Sequence, residues 1–464
     1  MSDVLMPENW LSLSIDEISD DVTYGYTASS TSNNTGCKLL RITDIQDDSV
    51  NWADVPFCEI SENDLKKYTL ENGDLVFART GATVGKSYLI RNLKEVSVYA
   101  SYLIRIRFNS ILNPSYFSYF FKSADYWNQI SHSSSGIGQP NVNGTKLKQL
   151  RVPVAPLAEQ QEIVRQLDIM LAQVEQIKAR LDAIPAILKK FRQSVLADAV
   201  SGRLTEEWRE GADFDIEAWT YERAEDLCLK VQSGSTPRNN PFDQNGTIPF
   251  LKVYNIVDQK IAFDYKPQFI LQEVHDNGSK RSICKAYDVL MNIVGPPLGK
   301  VAIVTDQYPE WNINQAITMF RVHPEKLNYK FLYYVLCEGQ IVRDVLHDTK
   351  GSVGQINISL SQCRDALIPK PSLIEQDAIV ETIDSLLGMA DKIENTVQSA
   401  QKRVNLLTQS ILAKAFSGEL TAEWREQHQD LITGVNSAEA LLAKIQAERE
   451  ASKPAKKTRK KKEV

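Results

Sequence analysis

The sequence predicts a tandem duplication in which two mixed α/β domains alternate with two long helices. Three observations lead to this fold class. The 464-residue chain contains the same segments twice, the segment that ends each copy has helical spacing of apolar residues, and the segment that begins each copy mixes strand and helix signals. We therefore expect two similar halves, each with an α/β domain of about 150 residues followed by about 60 helical residues.

The duplication is clearest at the end of each half. PVAPLAEQQEIV (153–164) recurs as PKPSLIEQDAIV (369–380), and QSVLADAVSGRLTEEWRE (193–210) recurs as QSILAKAFSGELTAEWRE (409–426). In each pair, the second segment lies 216 residues after the first. Upstream the match is looser, and the pairs are Arg105 with Arg321 at an offset of 216, Lys86 with Lys300 at 214, Leu40 with Leu251 at 211, and Trp10 with Trp219 at 209. The drifting offset indicates loops of different length in the two domains.

These boundaries divide the chain into five predicted regions. They are a first α/β domain at 1–155, a central helical region at 156–212, a second α/β domain at 213–371, a distal helical region at 372–430, and a C-terminal helix with a basic tail at 431–464. Two similar domains on a duplicated pair of helices predict pseudo-two-fold symmetry within one chain.

Both helical regions carry an apolar seam that steps by four and three residues. Its members include Ile163, Leu167, Met170, Val174, Ile177, Leu181, Ile379, Ile383, Leu386, Ile393, Val397 and Val404. A seam this narrow, held over more than four heptads, favours a coiled coil, and ordinary amphipathic core helices stay open as the alternative. Pro185 lies inside the first seam and has no N–H to donate, so we expect a kink or break there.

The looser segments combine strands with helices. Alternation in SYLIRIRF (101–108) predicts a strand with Ile104, Ile106 and Phe108 on one face and two arginines on the other. Helical spacing should follow from Pro114 through Phe117, Phe120, Phe121, Ala124 and Trp127. Such an aromatic stripe more often forms core than a base-stacking platform. In the second half, TMFRV (318–322) and a helix around 331–345 repeat this order.

Composition indicates an ordinary soluble protein with 43% apolar and 24% charged residues and a net charge of −6. We expect it to be cytoplasmic and to contact no membrane, because no long apolar run and no signal-peptide pattern is present. The last twelve residues, KPAKKTRKKKEV, are strongly basic, and either a solvated tail or a phosphate-binding arm fits them. Six widely spaced cysteines predict reduced, space-filling thiols rather than a metal site or disulfides.

Two motifs imitate enzyme sites. RTGATVGKS (79–87) resembles a phosphate-binding loop, but its first glycine comes one residue late, and its counterpart IVGPPLGKV (293–301) loses the serine and gains prolines. GPPL (295–298) lacks the polar residue and the aromatic ring that an amino methyltransferase motif needs. We therefore predict no catalytic site and no metal site, and interpret both glycine segments as turns.

Two glycine-rich polar connections recur in each half, at 79–87 and 134–143 and again at 293–301 and 350–359. Amides there could pair with adenine edges, and basic side chains with guanine or phosphate. The candidate DNA-binding residues are Arg79, Thr80, Lys86, Arg105, Arg107, Gln139, Asn141, Asn143, Lys300, Arg321, Gln355 and Asn357. The alternative is that the glycines only make turns and the amides only cap them.

With these segments together, the chain resembles the specificity subunit of type I restriction-modification systems, and its tail resembles the type IA family in particular. The resemblance is carried by the Pro-x-x-x-Leu-x-Glu-Gln-x-x-Ile-Val block (153–164 and 369–380), the paired seams, and the long segments ending in Glu-Trp-Arg-Glu (193–210 and 409–426). It covers nearly the whole chain.

The resemblance implies a noncatalytic protein with two target-recognition domains, each reading half of a split, asymmetric sequence in double-stranded DNA. The two helices would pack antiparallel as a spacer, and the chain would recruit two modification (methyltransferase) subunits and two restriction subunits. S-adenosylmethionine, ATP and magnesium would be used by those subunits, not bound by this chain. Half-sites about one helical turn apart, roughly 34 Å, would suit the predicted symmetry.

The resemblance also places the docking of modification subunits on the shared helical segments. The candidate interface residues are Glu207, Trp208, Arg209, Glu423, Trp424 and Arg425. Local packing at the helix ends is the alternative for the tryptophans. A coiled-coil adaptor that joins proteins without reading DNA is the alternative for the chain as a whole.

Overall fold

The structure is a computed structural model that describes residues 6–46, 48–134, 141–211, 219–237, 241–348 and 357–451. The chain divides into two compact units. One unit comprises Met1–Leu181 with Ser399–Val464, and the other comprises Asp182–Gln398. The predicted basic tail, Gln139 and Gln355 lie outside the described residues. None of the described helices has the length and apolar content needed to cross a bilayer.

The first domain mixes short strands with short helices, as predicted. Its elements are β1 (Leu11–Ser14), α1 (Ile15–Ile18), β2 (Ser19–Tyr24), β3 (Lys38–Leu40), β4 (Ile45–Gln46), β5 (Ser49–Val50), α2 (Glu62–Tyr68), β6 (Leu75–Ala78), β7 (Ser87–Leu89), β8 (Ser97–Tyr99), β9 (Leu103–Phe108), α3 (Pro114–Phe120), α4 (Ala124–Ser134), α5 (Gly144–Lys148) and β10 (Arg151–Val154). Its central sheet has the antiparallel order β2-β9-β6-β7, and β1 pairs with β10.

The predicted strand at 101–108 is confirmed as β9, with Ile104, Ile106 and Phe108 in the main core. The predicted helix begins at Pro114, where Asn113 caps it, and its aromatic residues enter the same core. The helical stripe does not run on to Trp127 in one helix, because α3 ends at Phe120 and α4 begins at Ala124.

The central helical region is α6 (Leu157–Val200) followed by α7 (Glu206–Glu210). Helix α6 contains Pro185 without interruption, so the expectation of a break is wrong. A proline removes one hydrogen bond and crowds the carbonyl four residues before it, but long flanking segments can hold the helix together around it. The kink, which is the other expected outcome, stays a prediction.

The second domain repeats the first with differences in its outer strands. Its elements are β11 (Thr220–Arg223), α8 (Ala224–Leu227), β12 (Cys228–Ser233), β13 (Ile248–Leu251), β14 (Ile256–Val257), β15 (Lys260–Ile261), β16 (Phe269–Ile270), β17 (Ile283–Cys284), β18 (Val289–Asn292), β19 (Val301–Ile303), β20 (Trp311–Ile313), β21 (Ile317–Val322), α9 (Tyr329–Glu338), α10 (Gln340–Asp348), α11 (Leu360–Asp365) and β22 (Leu367–Lys370). The sheet β12-β21-β18-β19 has the same order as the sheet of the first domain, and β11 pairs with β22 as β1 does with β10. The helix predicted around 331–345 is divided at Gly339, whose φ of 90° ends α9.

The distal helical region is α12 (Leu373–Phe416), followed by α13 (Ala422–Gln427) and α14 (Ala438–Ala451). Both long helices end at a glycine in the left-handed region, Gly202 and Gly418, each with φ of 80°. Helix α14 packs Leu441 and Ile445 into the core of the first domain.

One of the two rows of the predicted seam is more deeply buried than the other. In the more buried row, which repeats every seven residues, the buried members are Leu167, Val174, Leu188 and Val195 in α6 and Ile383, Ala390, Val397 and Ile411 in α12. The other row, which we call the open row, is buried at its first members, Ile163 and Ile379. Further along it includes Ile177, Phe191, Ile393 and Leu407, whose side chains are 38–48% exposed. Burial along the first row agrees with the predicted coiled coil, and the exposed members of the open row leave part of the seam uncovered.

The helix segments of the second unit run antiparallel. Arg192 Nη2 lies 2.7 Å from both Asp391 Oδ1 and Glu394 Oε2, while Arg209, further along the chain, pairs with Glu375, which comes earlier. As the residue number rises from 192 to 209, the number of the paired residue falls from 391 to 375. The two segments are therefore antiparallel, which is the arrangement that the resemblance implied.

A buried carboxylate closes each unit. In the first unit, Glu159 Oε2 accepts a hydrogen bond from Trp10 Nε1 (2.8 Å), and its Oε1 accepts from Thr421 Oγ1 (2.8 Å) and Arg425 Nη1 (2.5 Å). We call these four residues the first junction. Arg425 Nη2 also donates to the carbonyl of Gly418, at the end of α12. The glutamate therefore joins the start of a domain to the end of the long helix from the other half.

The second junction has the same chemistry. Glu375 Oε2 accepts from Trp219 Nε1 (3.0 Å), and its Oε1 accepts from Thr205 Oγ1 (2.8 Å) and Arg209 Nη1 (2.5 Å). Glu159 is 0% and Glu375 4% exposed. The sequence match between Trp10 and Trp219 is thus confirmed by identical contacts.

The glutamine beside each glutamate fixes the helix to its domain. Gln160 Nε2 donates to the carbonyl of Ala155 (2.8 Å), and its Oε1 accepts from the backbone N–H of Asn113 (3.2 Å). Gln376 repeats both bonds, to the carbonyl of Pro371 and from the N–H of Asn328. The Glu-Gln pair in the repeated block is therefore explained by structure: one side chain ties the unit together and the other orients the helix.

We predict that Glu375→Ala destabilises the second unit by about 3–5 kcal/mol, because Arg209 would remain buried without a carboxylate. The control is Glu225→Ala, which removes only an exposed ion pair with Arg223 and should cost about 0–1 kcal/mol. Denaturant unfolding of the full chain measures both. Equal stability of the two variants would contradict the role assigned to the junction.

Burial also governs the cysteines. It raises the pKa of all six thiols, to about 11 for Cys37 and Cys363 and to about 12 for Cys228 and Cys337. The thiolate is the reactive form, and a raised pKa leaves little of it at neutral pH. All six are free thiols, as predicted.

We predict that the native chain reacts slowly with iodoacetamide at pH 8 and that all six thiols react after denaturation. Mass spectrometry of alkylated samples counts the modified sites. A cysteine that reacts as fast in the native chain as in the unfolded one would contradict this prediction for that site.

Candidate nucleic-acid interface

The two glycine-rich connections of each domain lie side by side, which the sequence did not predict. Thr80 and Asn141 form an isolated antiparallel bridge, and Val142 N donates to the carbonyl of Arg79 (3.0 Å). We call the region around Arg79, Thr80, Lys86 and Asn141 the first loop edge.

The second domain has the equivalent arrangement. Val294 bridges Asn357, and Ile358 N donates to the carbonyl of Ile293 (2.8 Å). The region around Ile293, Val294, Lys300 and Asn357 is the second loop edge. Both loop edges lie at the same end of the equivalent four-stranded sheets, so both domains present their predicted polar connections together.

The segment that imitates a phosphate-binding loop is a hairpin turn. It connects β6 to β7, and its counterpart connects β18 to β19. A phosphate-binding loop leads from a strand into a helix, whereas a strand follows here. Gly85 and Gly299 have φ of 91° and 74°, and a Cβ at Gly85 would lie 2.6 Å from the Trp127 ring. The prediction that both segments are turns of the same kind is confirmed.

The two turns are held differently. In the second domain, Asn292 Nδ2 donates to the carbonyls of Val294 and Pro297, both at 2.9 Å, and its Oδ1 accepts from Lys300 N. Lys86 is exposed and Lys300 is half-buried. Both lysines therefore stay candidates for phosphate contacts, with Lys86 the more accessible.

Two predicted DNA contacts are held in ion pairs inside their domains. Arg107 Nε and Nη2 lie 2.7 and 2.8 Å from the two carboxylate oxygens of Asp74. Arg321 makes the same two contacts to Asp288, at 2.8 and 2.7 Å. Both aspartates are 2% exposed, and these bonds raise the pKa of each arginine further. The two pairs brace the central sheets. Both guanidinium groups are therefore occupied by contacts within their own domains.

This geometry corrects the sequence match of Arg105 with Arg321. The structural counterpart of Arg321 is Arg107, because both occupy the same position of equivalent strands and pair with equivalent aspartates. Arg105 is itself 4% exposed, and its guanidinium donates to Asp21 Oδ2 (2.5 Å) and to the carbonyl of Thr69 (2.7 Å). Its burial in these bonds argues against the predicted DNA contact.

The amide candidates lie at the loop edges. Asn141, Asn143 and Asn357 are exposed. Asn143 also caps α5, since its Oδ1 accepts from Lys146 N (2.9 Å), which is the capping role weighed as an alternative. Asn141 and Asn357 have the accessibility that base contacts need, and their roles stay predictions.

Two exposed aromatic residues at the first loop edge are not among the DNA-binding residues that the sequence predicted. Tyr24 is 39% and Tyr102 59% exposed. Tyr24 ends β2 and Tyr102 immediately precedes β9, where an aromatic residue is as typical of core as of a binding surface. Their exposure, not their spacing, identifies them.

The predicted partner-interface residues divide by burial. Arg209 and Arg425 belong to the junctions, and Arg209 is buried, so its guanidinium is not available to a partner. Glu207 and Glu423 are exposed, and both tryptophans are half-buried. Trp424 stacks on His428 with ring centroids 4.6 Å apart, which agrees with local packing at the helix end.

Comparison with known proteins agrees with this description. A family model described as the type I restriction modification DNA specificity domain matches residues 7–186 and 216–401. The chain is 33% identical to the type I restriction enzyme EcoBI specificity subunit of Escherichia coli, over 98% of this chain and 95% of that subunit. It is 34% identical to the StySPI specificity subunit of Salmonella potsdam, over 91% of each.

Two solved structures share the fold. The HsdS subunit from Thermoanaerobacter tengcongensis has a TM-score of 0.61 at 17% identity, covering 90% of this chain and 99% of that one. A chain from a study of assembly and conformational transition in the type I R-M system has a TM-score of 0.67 at 18% identity, covering 89% and 98%. With two matched domains and more than 30% identity along nearly its whole length, the chain belongs to the type I restriction-modification specificity family.

Proposed function

We propose that this chain is the noncatalytic DNA-specificity subunit of a type I restriction-modification complex, in which each domain reads one half of a bipartite, asymmetric target. The observation that carries the proposal is that the two units share one scaffold but have different residues at their loop edges. The junctions and the sheet-bracing ion pairs are the same in both units. At equivalent positions of the loop edges, however, Arg79, Tyr24 and Tyr102 are replaced by Ile293, Ser233 and Ala316.

Different residues at the loop edges of two similar scaffolds suit the reading of two half-sites that differ in sequence. Exposed amides and basic side chains supply the donors and acceptors that base edges and phosphates require. The methyl transfer and DNA cleavage belong, in this proposal, to two modification and two restriction subunits that use S-adenosylmethionine, ATP and magnesium. The long helices would set the distance between the two half-sites.

The open row supports docking of the modification subunits on the helices. Ile177 is 45% and Ile393 48% exposed, and they are equivalent residues of α6 and α12. Apolar residues with seam spacing that stay half-exposed are typical of a surface that a partner helix completes. Because each copy presents the same residue, two identical subunits can bind equivalent places.

We predict that Ile177→Glu reduces the number of bound modification subunits from two to one, and that adding Ile393→Glu abolishes binding. A charge at either position would be buried without a partner in the complex, which should weaken binding at least about tenfold. Both side chains are half-exposed in the free chain, so folding should be retained. Native mass spectrometry of the purified complexes counts the subunits.

The control is Gln173→Glu, which adds a charge to an exposed position of α6 outside the open row. This variant should still bind two subunits. The docking proposal is wrong if the double variant binds two as well.

The function is tested by co-expressing the chain with a modification subunit and mapping methylated adenines by single-molecule sequencing. We expect methylation within one bipartite motif whose halves differ in sequence. Binding of the modification subunit without any sequence preference would instead support the adaptor alternative and contradict the proposed function.

A further inference from the structure

Arg79 is held in place at the first loop edge by its neighbours. Its backbone N–H donates to the carbonyl of Tyr102 (3.2 Å), and its carbonyl accepts from Val142 N. Its guanidinium carbon lies 5.0 Å from the ring centroid of Tyr24. The Tyr24 hydroxyl accepts a hydrogen bond from Gly144 N (2.7 Å), which fixes the ring beneath the arginine. The guanidinium thus rests on an anchored aromatic platform.

The side chain of Arg79 lacks the polar partners that the other arginines of its domain have. The other five each have a hydrogen-bond or ion-pair partner, namely Arg41 with Asp44, Arg91 with Ser115, Arg105 with Asp21, Arg107 with Asp74, and Arg151 with Glu17. Within the described part of the chain, no acceptor lies within hydrogen-bond distance of the Arg79 guanidinium, and its Nε is buried and unpaired. Unpaired donors are costly in a folded protein, and each calls for an explanation. The Nε of Arg105 is also unpaired, but the rest of that guanidinium is bonded to Asp21 and Thr69, whereas Arg79 has no such bonds to the described residues.

The arrangement exists in only one domain. The residue equivalent to Arg79 is Ile293, which is 6% exposed and belongs to the core of the second unit. The residue equivalent to Tyr24 is Ser233, which offers no ring. A bracing role in the fold would be expected in both domains, as it is for Arg107 and Arg321. Arg79 therefore has a role particular to the first domain.

We propose that Arg79 is a specificity-determining residue that reads the O6 and N7 edge of a guanine in the half-site bound by the first domain. This inference rests on the proposed function. The planar guanidinium fork matches the two guanine acceptors, and the cation–π contact with Tyr24 orients that fork before DNA arrives. A phosphate contact needs no such orientation, and the exposed Lys86 in the same turn can make it.

The test uses the full chain assembled with its modification subunit and a DNA library randomised across the mapped motif. Arg79→Ala should lose selection for one guanine of one half-site, with discrimination at that position falling roughly 5- to 150-fold. Arg79→Lys should lose the same selection, because lysine keeps the charge without the fork. Selection across the other half-site should stay unchanged, which also shows that both variants fold and assemble.

Lys86→Ala is the matched control in the same turn. It should weaken methylation similarly for all sequences and leave the motif intact, as expected for a phosphate contact. The inference is overturned if Arg79→Lys retains the full motif or if Arg79→Ala behaves as Lys86→Ala does. It is equally overturned if both Arg79 variants keep the wild-type motif and rate. A wild-type complex without any bipartite motif would instead refute the proposed function.

Discussion

The fold depends on a buried glutamate at each junction. A carboxylate removed from water is tolerated only when charged and polar donors surround it, and Glu159 and Glu375 each accept hydrogen bonds from a tryptophan, a threonine and an arginine. Those donors come from distant parts of the chain. Trp10 lies 149 residues before Glu159, and Arg425 lies 266 residues after it. Each unit is therefore closed by segments from both halves of the sequence.

Because the junctions and the ion pairs hold each unit together, the residues of the loop edges can differ between the two domains. Asp74 with Arg107, and Asp288 with Arg321, brace each sheet from residues that do not belong to the loop edges. A substitution at the turns leaves these interactions intact, whereas a substitution in the junction does not. This separation explains why the two halves match closely in their helices and loosely in their domains, and it permits two different DNA sequences to be read with one scaffold.

The sequence predicted the duplication, the central strands and the long helices, because each leaves a periodic or repeated pattern. It failed where an outcome depends on contacts between distant residues. Arg105 was matched with Arg321 because the loop lengths between them cannot be read from spacing, and its burial depends on Asp21 and Thr69. The seam predicted the coiled-coil helices, but spacing alone does not tell which of its side chains stay exposed, such as Ile177 and Ile393. Tyr24 was overlooked because strand ends often carry aromatic core residues.

Repetition also distinguishes two kinds of incomplete surface. The open row occurs in both halves at equivalent residues, as Ile177 and Ile393 show, so whatever completes it should be the same for both. The unpaired guanidinium of Arg79 occurs in one half only, and Ile293 stands in its place in the other. A feature shared by both halves fits identical protein partners, and a feature confined to one half fits a base that only one half-site contains. In a duplicated protein, the comparison of its own halves thus separates docking surfaces from sequence readout.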